Sequence, residues 1–98
     1  MTKCETAICQ LAVNVYGKTS QCTVCMEEMA ELTKELSKKN LRGQDNAAHI
    51  AEEIADVEIM LEQLKLMFSI RDEVTQQRTV KLQRLDNRIS QSLIHPKP

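Results

Sequence analysis

The sequence predicts an all-α protein, and three observations carry that reading. The chain is rich in Glu, Lys, Leu, Gln, Ala and Met, all good helix formers. Only two glycines and two prolines interrupt its 98 residues. Its β-branched residues are scattered and do not alternate as a strand requires. Four helices account for nearly the whole length, in one small domain spanning 1–98.

The first helix is expected over about 3–16, where Ala7, Ile8, Leu11, Ala12 and Val15 recur at helical spacing. Gly17 ends it, because glycine tolerates the backbone that follows a helix. Thr19 or Ser20 is the expected cap of helix two, which runs from about 20 to 40 with Cys25, Met29, Leu32 and Leu36 as its apolar stripe. Asn40 and Gly43 are stop signals, and residues 37–45 form a polar, basic loop. Helix three starts at Asp45 or Asn46 and reaches about Ser69 on a stripe of Ile50, Ile54, Val57, Leu61, Leu64 and Phe68. Helix four covers about 72–92, with Val74, Leu82, Leu85, Ile89 and Leu93 apolar. The tail, about 93–98, is expected to be loose.

One tyrosine, one phenylalanine and no tryptophan leave a core of Leu, Ile, Val and Met. In so short a chain such a core is marginal alone, so burial against a second subunit is expected. A net charge of −1 argues against a general nucleic-acid binder. No apolar run approaches the roughly 20 residues that cross a bilayer, and no signal peptide is evident. A cytoplasmic protein with reduced thiols is the expectation.

A short phrase occurs twice. Residues 27–32 read Glu-Glu-Met-Ala-Glu-Leu, and residues 52–57 read Glu-Glu-Ile-Ala-Asp-Val. Acids three apart share a helix face. Glu28 lies about 60° and Glu31 about 120° from Cys25, on one side of the helix-two stripe. Glu53 and Asp56 hold the same offsets, about 60° and 120°, from Ile50 on helix three. A short connection makes the two helices antiparallel neighbours, so the pairs are candidates to converge. Charged shoulders on amphipathic helices are ordinary, but matched copies beside two apolar stripes are less so. Four hard oxygen donors suit Mg²⁺ or Mn²⁺. Di-iron bundles need Glu-x-x-His, which neither His49 nor His95 completes. Lys81, Arg84 and Arg88 share a face of helix four suited to phosphate. On its own that face reads as a solvated basic surface.

Cys22-x-x-Cys25, with Cys4 and Cys9 upstream, raises a zinc alternative. Helical context and the position of Cys25 on the apolar stripe favour core thiols instead. The five methionines read as core filler.

Tyr16-Gly17-x-x-x-Gln21, Glu27-Glu28-x-x-Glu31-Leu32, Glu52-Glu53-Ile54-Ala55-Asp56-Val57 and Lys81-Leu82-x-Arg84-Leu85 resemble the MazG-like all-α nucleoside triphosphate pyrophosphohydrolases. The resemblance spans about residues 10–92. It implies a four-helix bundle, oligomeric through helix packing as a homodimer or homotetramer. It implies Mg²⁺-dependent hydrolysis of the α–β phosphate bond of (d)NTPs to monophosphate and pyrophosphate, in nucleotide-pool housekeeping. The implied metal ligands and catalytic residues are Glu28, Glu31, Glu53 and Asp56. Lys81 and Arg84 would contact phosphate, and Gln21 and Tyr16 would lie near the nucleoside. Many relatives carry tryptophan where this chain has Tyr16. A non-catalytic helical interaction module with the same fold is the alternative.

Overall fold

A computed structural model describes residues 1–94; the expected loose tail from His95 to Pro98 lies outside the described residues. Four helices follow in order: α1 Lys3–Tyr16, α2 Lys18–Arg42, α3 Ala47–Phe68 and α4 Arg71–Ile94. Leu93 and Ile94, expected in the tail, are the last helical residues of α4.

Each boundary has a local cause. Thr2 caps α1 in a capping box: its hydroxyl accepts from the Glu5 N–H while the Glu5 carboxylate accepts from the Thr2 N–H. Gly17 alone separates α1 from α2, with φ 91° and ψ 155°. That backbone is open essentially to glycine only. The expected cap at Thr19 or Ser20 is thereby corrected: α2 starts at Lys18, and Thr19 and Ser20 already lie within its first turn. The single-residue joint leaves no room for a side-chain cap. Gly43 closes α2 in the left-handed conformation, its N–H returning to the Lys39 carbonyl and the next N–H, of Gln44, to that of Lys38. Ser69 closes α3 in the same conformation, at φ 54°.

α3 is the central element. It packs against α2 along most of its length and against α1 on another side, while α4 touches α3 alone, at their shared turn. The anchor of that turn is Glu62, 4 % exposed, which accepts from Arg71 Nη2 at 2.6 Å and from Thr6 Oγ1 at 2.8 Å. One carboxylate thus joins α1, α3 and the start of α4. Arg71 holds Glu62 below the ordinary carboxylate range, more than burial raises it.

Beyond that turn α4 projects from the body. None of its residues is buried. The radius of gyration is 17.2 Å and the extents are 54 × 35 × 23 Å. A compact chain of this length would have a radius of about 12–13 Å.

The expected apolar stripes are mostly not the buried ones. On α1, Ile8, Leu11 and Val15 face outward while Cys9 and Val13 are buried. On α3, Ile54, Leu61 and Phe68 are exposed, whereas Met60, Glu62, Gln63 and Met67 are buried. On α2, Cys25 is buried as expected, but Met29 and Leu36 are exposed and Leu32 is half-buried. The reason is that both long helices carry a second seven-residue register. Gln21, Cys25, Glu28, Leu32 and Glu35 form it on α2, and Glu53, Asp56, Met60, Gln63 and Met67 on α3. These registers face each other, so Met29, Leu36, Ile54, Leu61 and Phe68 are left outside, while Ile50, Val57 and Leu64 stay half-buried.

Candidate metal centre

The α2–α3 seam is clamped at both ends by amide side chains. Near the start of α2, Gln21 Nε2 donates to Gln63 Oε1 at 2.6 Å, with both residues buried. At the loop end, the Asn46 amide donates to Glu35 Oε2 at 2.7 Å and to the Glu35 carbonyl at 2.9 Å. Lys38 donates to the same Glu35 carboxylate at 3.1 Å. Asn46 immediately precedes α3, so this clamp sets where that helix begins.

Between the clamps lie the repeated acids. Glu28 of α2 and Glu53 and Asp56 of α3 bring one oxygen each to within 4.8 Å of one another. Glu28 and Glu53 are half-buried and Asp56 is exposed, so the cluster opens to solvent on one side. Glu53 Oε2 is buried and has no hydrogen-bond partner. Burial, then the charges of Asp56 and Glu53, raise the Glu28 carboxyl above its ordinary value. Burial, then Asp56, Glu31 and Glu35, raise Glu53 in the same way. A buried acceptor without a donor, among carboxylates that repel, is an arrangement that a bound cation would relieve. Oxygen-only donors fit a hard divalent ion.

The structure gathers three of the four expected acids. Glu31 is exposed and outside the cluster, though its charge acts on both Glu28 and Glu53. Gln21 donates to Gln63 inside the seam. Tyr16 is exposed at the end of α1. Lys81 and Arg84 are exposed on α4, which has no contact with α2, so they do not face the acids of their own chain. His49 lies on the surface, 4.0 Å from Glu52. The four cysteines do not assemble a zinc set: among the described residues, the clustered donor group is the acid trio.

Two groups escaped the sequence reading. Glu35 and Asn46 were legible only through the seam register, since Glu35 lies seven residues after Glu28. Glu62 carried no signal, because its partners Thr6 and Arg71 come from separate helices.

A cavity of about 710 Å³ runs along α4, lined by Ile70, Val74, Arg78, Lys81, Leu85 and Arg88 among others. No helix among the described residues is long and apolar enough to cross a membrane. No family model, curated protein or solved structure matches the chain.

Proposed function

We propose that the chain is a Mg²⁺-dependent nucleoside triphosphate pyrophosphohydrolase acting as an assembly of two or more copies. The observation that carries this reading is the meeting of Glu28, Glu53 and Asp56 from two antiparallel helices within 4.8 Å, around a buried carboxylate oxygen that lacks a donor. Mg²⁺ (or Mn²⁺) held there would neutralise phosphate charge and lower the pKa of a bound water.

The side chains divide the remaining work. Glu28 and Glu53, half-buried, supply fixed ligand oxygens, and Asp56, exposed, faces the entering phosphate. Glu31, on the same shoulder of α2 and outside the trio, would accept a proton from the attacking water in this reading. Phosphate charge calls for cations, and those of α4 come from a second copy in this reading. Residues 74–94 hold four bases against one acid, on a helix that leaves its own body. The exposed Leu82, Leu85 and Ile89 beside those bases give that second copy an apolar surface to cover.

Pyrophosphate release from a panel of ribo- and deoxynucleoside triphosphates tests the reading. Release that requires Mg²⁺, stops with chelator and is lost in Glu53→Gln and Asp56→Asn is expected. Mixing inactive Glu53→Gln with an inactive Lys81→Ala, Arg84→Ala double variant should restore part of the turnover, because a mixed assembly then contains one intact site. Silence of the well-folded wild-type chain across the panel would favour a non-catalytic helical interaction module. The outward apolar faces of α1, α3 and α4 are the observation behind that second reading.

A further inference from the structure

Among the described residues, four of the five buried apolar side chains carry sulfur: Cys9, Cys25, Met60 and Met67, with Val13 the exception. Within that sulfur-rich interior, two thiols meet thioethers: Cys9 Sγ donates to Met1 Sδ at 3.9 Å, and a second, shorter contact ties two long helices together. The Cys22 thiol donates to Met67 Sδ at 3.5 Å, joining α2 to α3. Met67 is 6 % exposed, while Cys22 is only half-buried, so the pair is reached from solvent through Cys22.

We propose that Cys22 and Met67 form a binding site for a soft monovalent cation of the Cu⁺ class, separate from the acid cluster. Thiolate and thioether are the ligands that select such ions over hard ones. The gap between the two sulfurs marks the cation's position. The Cys22 S–H bond breaks, its proton leaves to solvent, and the cation takes both sulfurs. No electron is transferred. One thiolate, one thioether and one positive charge sum to zero, so the occupied site buries no net charge. Zn²⁺ at the same two sulfurs would leave a positive charge in the seam and two tetrahedral positions unfilled. Metal–thiolate bonds of about 2.3 Å require the sulfur gap to widen by roughly 1 Å for linear coordination. The unbranched Met67 side chain supplies that movement. Cys25, one turn along α2 and 1 % exposed, stays a thiol, because burial opposes its ionisation.

Ag⁺, a redox-inert probe of this class, tests the site in the whole chain. A Cys4→Ser background removes the exposed thiol. Competition against a thioether chelator should give one tight site per chain. Met67→Leu keeps every thiol and nearly the same volume, and should weaken Ag⁺ at least tenfold. Cys22→Ser should abolish the site, and Cys25→Ser should leave it unchanged. Equal affinity in Met67→Leu would reduce the binding to capture by a thiol and overturn the proposal. Retention of the site in Cys22→Ser, or its loss in Cys25→Ser, would overturn it too. Far-UV helicity of each variant confirms that the fold is intact, and addition of Mg²⁺ should not displace Ag⁺.

Discussion

Glu53 is the residue on which the proposed centre depends most. Its Oε2 is buried without a donor, and burial plus neighbouring acids raise its carboxyl above the ordinary value of 4.5. A raised pKa means that the folded state holds its proton at pH values where the unfolded chain has lost it. Without metal, stability therefore falls as pH climbs through the window just above 4.5, and recovers on acidification. Glu28 acts in the same direction. Glu5, Glu35 and Glu62, whose values are lowered, act below 4.5 and in the opposite sense. Melting in chelator as pH is raised above 4.5 should show the decline, and Glu53→Gln should flatten it. The same variant should melt higher than wild type in chelator, yet lose the rise that Mg²⁺ gives the wild type. A wild-type melting temperature indifferent to Mg²⁺ would count against the centre.

At the scale of the helix, the seam and the joints make separate claims. Gln21 and Gln63 satisfy each other out of water. Gln63→Leu strands the Gln21 amide and should cost about 1–3 kcal/mol, as buried polar groups without partners do. The Gln21→Leu, Gln63→Leu double variant should recover much of that loss, and urea melts of the four-member cycle measure it. Gly17 has open space where a Cβ would stand, so Gly17→Ala tests conformation alone. A cost of about 1–3 kcal/mol is expected from its φ of 91° and ψ of 155°.

The elements themselves were legible in the sequence. Helical spacing and the glycines at 17 and 43 placed all four helices within a few residues of where they lie. The repeated acid phrase located the candidate centre, because i, i+3 spacing fixes a shared face regardless of packing. Which face would be buried was not legible. Ile54, Leu61 and Phe68 outscore Glu53, Asp56 and Gln63 on any hydrophobic criterion, yet the polar register forms the seam. Apolar periodicity reports burial in the final assembly, and a seam of matched amides and acids has no signal until two helices are set against each other. The reach of Lys81 and Arg84 was likewise hidden, since the direction of α4 depends on the Ser69 turn and the Glu62–Arg71 pair.

For the whole molecule, the dimensions argue for company. A radius of 17.2 Å and an α4 with no buried residue are what the proposed assembly would account for. Sedimentation should report a species larger than one 11.2 kDa chain. Leu85→Asp, placed on the exposed α4 surface, should shift it toward the single chain without loss of helicity. A wild-type chain that sediments as a monomer at every concentration would refute the assembly.

The paired clamps have one further effect. Gln21–Gln63 and Glu35–Asn46 tie the two long helices together on either side of the acids, so the gap between the carboxylates is braced at both ends. A braced gap has a fixed width, and width is what separates small octahedral ions from larger, loosely coordinated ones. In the proposed centre, discrimination between Mg²⁺ and Ca²⁺ by size would then draw on both clamps, including Asn46, which lies outside the acid trio. Asn46→Ala frees the loop end and should narrow the ratio of the two affinities. An unchanged ratio would place the selectivity in the carboxylates themselves.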